Sequence, residues 1–255
     1  MRASVLIILL LLPLLLVTAS LLAADDALPA NTAIEPVPKL EQDGYDWYAR
    51  HDAVIKAKQG ADPDVVLIGD SITHFWGGDP PGPNHGPTAW AAAFGAHHAL
   101  NLGFGWDRTQ NVLWRLDHGE FDGLHPRWVV LLIGTNNLTG TSHARENTPS
   151  EIVAGISAIC TRIATLSPTT RIIHMAVFPR GRKADDHFRP KIAEINRLLA
   201  AYAAQQHHAY IDIGPQLLDA SGTIPPDIMG DATHPTDKGY AIWASALQAE
   251  FAKTP

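Results

Sequence analysis

Cysteine is almost absent: Cys160 stands alone among 255 residues, so no intramolecular disulfide can staple the chain and stability has to come from an apolar core. Cys160 lies within an apolar helical pattern and reads as a small buried hydrophobe. Positive charge is also in deficit. Nineteen Lys and Arg face 26 Asp and Glu, a net −7, which argues against nucleic acid as a partner and supplies no electrostatic attraction to anionic membranes. No Gly-x-x-x-x-Gly-Lys loop is present, and Gly103-Phe104-Gly105 lacks the third glycine of a dinucleotide fingerprint, so no nucleotide cofactor is expected. The histidine pairs His97-His98 and His207-His208 flank apolar runs. Neighbours on a strand point to opposite faces, so neither pair is a natural chelate and no metal site is expected. There is no internal repeat and no low-complexity stretch after the amino terminus.

The one long apolar run opens the chain. Met1-Arg2, a nearly unbroken apolar stretch from Val5 to Ala24, and then Asp25-Asp26 read as a secretory signal over residues 1–24, cleaved near Ala23 or Ala24. The run approaches a membrane-spanning length, so an uncleaved anchor, which would make a membrane a partner, is the competing reading. Residues 25–39 are rich in proline and read as an extended linker. Residues 40–255, with a polarity typical of globular chains, read as one domain. The oligomeric state is left open.

Within that domain, five short β-branched or apolar runs look like strands: Val65 to Ile68, Ala99 to Leu102, Trp128 to Ile133, Ile172 to Val177 and Tyr210 to Ile213. Helical periodicity separates them, over residues 45–55, Pro149 to Leu166, Pro190 to Ala204 and Asp237 to Phe251. In the second of these, Thr148, Pro149 and Glu151 form a capping box with proline at the first helical position. The alternation predicts an α/β fold with a parallel sheet covered on both faces.

The chemistry-bearing residues fall just beyond the strands. Val65 to Ile68 ends at Gly69-Asp70-Ser71, where Ser71 is a candidate nucleophile, although Asp and Ser in that position also suit a helix N-cap. A serine needs a base within hydrogen-bond reach and a group that holds the base's tautomer. Asp231-Ala232-Thr233-His234 supplies both. Asn101 to Thr109 and Gly134-Thr135-Asn136-Asn137 also follow apolar runs and offer N–H donors of the kind an oxyanion requires. The Gly-x-Ser-x-Gly turn of the α/β-hydrolases is absent.

In this order, the four segments resemble the SGNH hydrolases, the GDSL-like esterase and lipase superfamily. The nearest likeness is to the platelet-activating-factor acetylhydrolase-like branch, echoed in Gly105 to Leu116, in Gly134-Thr135-Asn136-Asn137 and in Phe178-Pro179-Arg180-Gly181. The resemblance spans residues 40–250. It implies a flavodoxin-like three-layer α/β/α sandwich around five parallel strands. It also implies a serine esterase with Ser71 as nucleophile, His234 as base, Asp231 as orienter, and an oxyanion hole of Ser71, Trp106 and Asn136. Asp70, Trp76, Gly105 and Asn137 are candidates to line the substrate pocket. Trp106 stands where that family usually has glycine, so its backbone N–H is the donor while its indole either walls the pocket or packs away from it. Trp76 reads equally as a sugar platform or as packing beneath residues 76–87. No cofactor or metal is expected. The expected activity is exported hydrolysis of short-chain, mainly acetyl, esters on carbohydrates or other small compounds. A phospholipid acetylhydrolase or lysophospholipase, and an inactive ligand-binding module, are the alternatives.

Overall fold

Strand β1 (Val65–Gly69) alternates its side chains between two cores, and that alternation explains the layering. Val66 and Ile68 join one apolar cluster while Val65 and Leu67 join the other. In β3 (Trp128–Leu132), Val129 and Leu131 likewise face the first cluster, with Trp128, Val130 and Leu132 in the second. A strand apolar on both faces must be covered twice, so helices pack on each side. Helices α1 (Trp47–Ala57), α4 (Thr109–Asp117), α5 (Pro149–Leu166) and α6 (Phe188–Gln206) contribute to the first core. Helices α2 (Ser71–Gly77), α3 (Pro87–Phe94) and α7 (Asp237–Phe251) contribute to the second.

The remaining strands are β2 (Ala99–Gly103), β4 (Arg171–Met175) and β5 (Ala209–Ile211). All pairings are parallel, in the order β2-β1-β3-β4-β5. This is the flavodoxin-like, five-stranded three-layer sandwich expected, and its order reverses direction between β1 and β3. Beyond the carboxyl ends of those two strands lies the crevice where such sheets bind ligands.

The structure is a computed structural model describing residues 30–82 and 85–253. The candidate signal segment, residues 1–24, lies outside the described residues, as do residues 25–29 of the expected linker. The rest of that linker is corrected. The folded unit begins at Asn31, and residues 32–34 form a 3₁₀ turn whose Ala33 is fully buried. Thr109 Oγ1 donates to Ala33 O at 2.8 Å, and Asn111 Nδ2 donates to Pro38 O at 2.7 Å. Prolines deprive this segment of periodicity, yet its free carbonyls satisfy buried polar side chains of α4 and so fix it to the domain.

The local signals of α5 are realised. Glu151 N–H donates to Thr148 Oγ1 at 3.3 Å, and Thr148 N–H donates back to Glu151 Oε2 at 2.8 Å. Gly69 has an ordinary φ, so a tight left-handed turn is not its purpose. A Cβ there would lie 2.2 Å from Thr73 Oγ1 and 2.4 Å from Leu132 O. Only glycine lets α2 start so close to the sheet.

Candidate active site

Ser71 is the first residue of α2, and the helix seats against both the sheet and α7. Its second residue is anchored from α7, where the buried Tyr240 hydroxyl donates to Ile72 O at 2.8 Å. Asp70 caps the helix, accepting the Ile72 N–H on Oδ1 at 2.9 Å.

From the loop before α7, His234 Nε2 lies 2.8 Å from Ser71 Oγ, and His234 Nδ1 lies 2.7 Å from Asp231 Oδ2. A carboxylate only accepts, so the Nδ1–H donates to Asp231 and the Nε2 lone pair accepts the Ser71 hydroxyl proton. Asp231 Oδ1 also accepts the backbone N–H groups of His234 at 2.8 Å and Thr233 at 3.0 Å. Burial pushes the Asp231 carboxyl up. The His234 side-chain and backbone hydrogen bonds, the imidazole's charge and the Thr233 N–H outweigh it and hold the group below the usual carboxylate range. The turn depends on a left-handed residue, Ala232, at φ 61°. Its carbonyl accepts the Gly181 N–H at 3.1 Å. Arg182 donates to Ile224 O at 2.7 Å, Met229 O at 3.0 Å and Gly230 O at 2.6 Å, fastening the chain that leads into this loop.

The three expected oxyanion donors, Ser71, Trp106 and Asn136, follow β1, β2 and β3, beyond the carboxyl ends of three adjacent strands. The backbone N–H groups of Ser71 and Trp106 donate to no protein acceptor among the described residues. Asn136, in the 3₁₀ turn after β3, donates one amide N–H to Asp107 O at 3.0 Å, leaving its second N–H without a protein acceptor among the described residues. Asp107 is itself immobilised: its Oδ1 accepts Trp47 Nε1–H at 2.7 Å and its Oδ2 accepts Arg115 Nε–H at 2.7 Å. Arg115 is fully buried, lies 4.1 Å above the Phe104 ring and also pairs with Glu120. Arg180 secures the other edge, donating to Thr139 Oγ1 at 2.8 Å and Thr135 O at 3.3 Å on either side of Asn136. Motif reading overlooked Asp107, Arg115 and Arg182 as positioning residues. The available signal was a pair of charges, Asp107 and Arg115, flanking an apolar helical face.

Trp106 sits at φ 63° and is 37% exposed. The left-handed conformation explains why glycine suits this position, and a tryptophan there is strained by about 1–2 kcal/mol. Its exposure removes the reading in which the indole packs into the core.

The four residues expected to line the pocket do not. Trp76 is 1% exposed, stacked on Tyr240 with ring centroids 5.3 Å apart and 4.5 Å from Trp243, so it is core packing and no sugar platform. Asn137 is fully buried: its Nδ2 bonds Gln110 Oε1 at 2.9 Å and Asn147 Oδ1 at 3.0 Å, and its Oδ1 accepts Thr109 N–H at 3.0 Å, tying α4 to the loop after β3. Gly105 is buried beneath Asp43 and Tyr45, where a Cβ would fall 1.8 Å from Asp43 Oδ2. Asp70 is 1% exposed and is a helix cap.

Asp70 also makes stability depend on pH. Burial pushes its carboxyl up to about 7, against the opposing effects of the Ile72 N–H, His234 and Arg180, and its Oδ2 has no hydrogen-bond partner among the described residues. The folded value lies above the ordinary 3.8, so between the two the folded chain binds more protons than the unfolded one and stability falls as pH rises. Asp70→Asn keeps the cap oxygen and removes the charge. We expect it to match the wild type near pH 4 and to gain up to about 4 kcal/mol above pH 7 in denaturant unfolding, the equivalent of about three pKa units. Equal stability at both pH values would contradict this account.

A family model described as the GDSL-like Lipase/Acylhydrolase family matches residues 67–242. The chain is 32% identical over 222 residues to platelet-activating factor acetylhydrolase IB subunit alpha1 of Rattus norvegicus, covering 86% of this chain and 88% of that one. Among solved structures, a GDSL-like lipase from Bacteroides thetaiotaomicron superposes with a TM-score of 0.61 at 19% identity, over 82% of this chain and all of that one. An acetyl-xylooligosaccharide esterase from Geobacillus superposes with a TM-score of 0.58 at 19% identity, over 73% and 92% of the two chains. At such identities the two structures speak to the fold alone.

Proposed function

Because the chain belongs to the GDSL-like lipase and acylhydrolase family, it is an ester hydrolase, and we propose that it removes short acyl groups, principally acetyl, from carbohydrates or other small compounds. Ser71 Oγ attacks the ester carbonyl while His234 Nε2 takes its proton. The oxyanion accepts hydrogen bonds from Ser71 N–H, Trp106 N–H and the Asn136 amide, and His234 returns the proton to the departing alcohol. Water, deprotonated by the same imidazole, then attacks the acyl-enzyme; the acid leaves and the proton returns to Ser71. Asp231 holds the tautomer and stabilises the imidazolium.

The observation that carries the substrate reading is the exposed indole of Trp106, a flat apolar face on the residue whose own N–H is an oxyanion donor. It can wall a small acyl pocket or stack on a sugar ring. A second reading, acetyl-phospholipid hydrolysis, is favoured by the 32% identity to a platelet-activating factor acetylhydrolase subunit. We also propose export through the apolar amino-terminal segment, which mass measurement of the protein recovered outside the cytoplasm would test by the loss of residues 1–24.

Substrate profiling of wild type and Trp106→Gly tests the reading. For the wild type, kcat/KM is expected to be highest on acetyl esters and to fall with acyl length. An acetylated oligosaccharide should outrun an acetyl ether phospholipid, whereas the reverse order would install the second reading. Trp106→Gly relieves the left-handed strain, so melting temperature should hold or rise. Turnover of a minimal acetyl ester should persist, longer acyl chains should become acceptable, and binding of the native leaving group should weaken by about 1–3 kcal/mol. A variant with an unchanged acyl profile would refute a pocket role for the indole.

A further inference from the structure

Away from the crevice, three segments bring metal-ligating side chains together on the α5 and α6 side of the sheet. Cys160 Sγ lies 3.9 Å from His174 Nε2, His174 Nε2 lies 3.0 Å from His208 Nδ1, and all three atoms fall within 4.8 Å of one another. Cys160 comes from the inner face of α5 and His174 from β4. His208 follows His207, which ends α6 in a left-handed conformation at φ 58°. That reversal turns the chain towards β5 and brings the His208 ring to β4. Cys160 and His174 are buried and His208 is half-buried.

From this geometry we propose that Cys160, His174 and His208 form a binding site for a zinc-type transition-metal ion, separate from the hydrolytic centre. Metal–sulfur and metal–nitrogen bonds of about 2.3 and 2.0–2.1 Å in a tetrahedron set ligand spacings of about 3.6 Å for S to N and about 3.3 Å for N to N. The observed 3.9 and 3.0 Å need shifts of only a few tenths of an ångström, while Cys160 Sγ and His208 Nδ1, within 4.8 Å, would close to about 3.6 Å as the half-exposed His208 ring moves in. A metal-free hydrogen-bond account is poorer. His174 Nε2 has one in-plane direction, holding either a hydrogen or a lone pair, so it can serve His208 or Cys160 but not both. An ion satisfies all three atoms at once. Thiolate with imidazole is the donor set that selects zinc or copper over magnesium or calcium.

The surroundings fit an ion as well. The Tyr202 ring on α6 packs edge-on against both imidazoles, with its centroid 5.8 Å from that of His174 and 6.2 Å from that of His208, and encloses the site. His208 lines a cleft of about 460 Å³ that also contains His207, Thr170 and Glu250, giving an entry path from solvent. Binding replaces the Cys160 S–H by a metal–sulfur bond and releases that proton to water. The ion would tie α5 to β4 and to the start of β5, against the α5 and α6 face of the sheet. Its role is structural, because the triad and its donors sit beyond the carboxyl ends. Of the adjacent pair His207-His208, His208 alone joins partners that are distant in sequence, and the proposal departs here from the expectation of no metal site.

The test is titration of the purified full chain with zinc(II) against a chromophoric chelator, and with cobalt(II) alone. The wild type should take up one zinc per chain, gain melting temperature with zinc concentration, and show a near-ultraviolet thiolate-to-cobalt charge-transfer band. Cys160→Ala should lose the band. His208→Ala, at a half-exposed position that spares the core, should weaken zinc binding at least about 100-fold, beyond the 10–100-fold effect of outer-shell changes. Ester hydrolysis by His208→Ala should be unchanged. No stoichiometric uptake by the wild type, a missing cobalt band, or unaltered zinc affinity in His208→Ala would each overturn the proposal. Should Cys160→Ala fail to fold, the wild-type band and His208→Ala decide it.

Discussion

Replacing Ser71 by alanine is expected to lower kcat by on the order of 10⁵–10⁶-fold, and His234→Ala by a similar factor, with the double variant barely worse than either single one. The non-additivity follows from the 2.8 Å contact between His234 Nε2 and Ser71 Oγ. The imidazole's use as a base is to take that hydroxyl proton, and the hydroxyl's use as a nucleophile depends on losing it. Removing either ends the shared step, and what remains is the contribution of the oxyanion donors and substrate binding. Ser71 is buried but small and His234 is half-buried, so neither substitution opens a large cavity and both variants should fold. Fluorophosphonate labelling should disappear in Ser71→Ala. Single-turnover rates of the two singles and the double complete the cycle. Losses that multiply, or a Ser71→Ala protein that still forms an acyl-enzyme, would refute the mechanism.

Asp231→Asn should cost on the order of 10³–10⁴-fold in kcat and should lower the melting temperature only modestly, since the native state favours the ionised carboxylate but that group is half-exposed. Asp231 Oδ2 accepts the Nδ1–H of His234 at 2.7 Å and thereby leaves Nε2 bare towards Ser71. An asparagine that turns its NH₂ to the ring favours the opposite tautomer, with the proton on Nε2 where it cannot accept from serine. The carboxylate is half-exposed, so the neutral replacement is tolerated structurally, and Oδ1 can still accept the His234 and Thr233 N–H groups. The pH behaviour is fixed in sign. The Asp231 carboxyl is held below the usual carboxylate range, so its contribution to stability is present above the unfolded value of about 3.9 and is lost only as pH falls through the lower folded value. A decline of activity at mildly acid pH therefore does not come from Asp231. Unchanged turnover in Asp231→Asn would mean that another group orients the imidazole.

The failures of sequence reasoning share a cause. Asp70, Trp76, Gly105 and Asn137 stand beside the motif residues, and proximity in sequence suggested a common pocket. Three are buried by something that arrives from elsewhere, Trp76 by Tyr240 and Trp243 of α7, Gly105 by Asp43 and Tyr45, and Asn137 by Gln110 and Asn147, while Asp70 is taken up in capping its own helix. Residues 31–39 read as a linker because proline conceals order that rests on tertiary hydrogen bonds. The positioning network of Asp107 and Arg115 was hidden too, since a charge on an apolar face reveals its purpose only when the partner is seen.

What the sequence determined by itself is what short-range physics encodes. Short apolar runs set the five strands and 3.6-residue periodicity set α1, α5, α6 and α7 to within about two residues, while α2, α3 and α4 were given no bounds; the alternation set the parallel sheet, and the motif order Ser71, Trp106, Asn136, Asp231, His234 carried the likeness to a known hydrolase family. Tertiary structure alone decided which faces are covered. It set Trp106 in a left-handed, exposed conformation, turned neighbouring motif positions into core and caps, and gathered Cys160, His174 and His208 from three elements. Periodicity records which side of an element is apolar; it does not record what packs there, because burial is a property of pairs of surfaces separated in the chain by tens of residues.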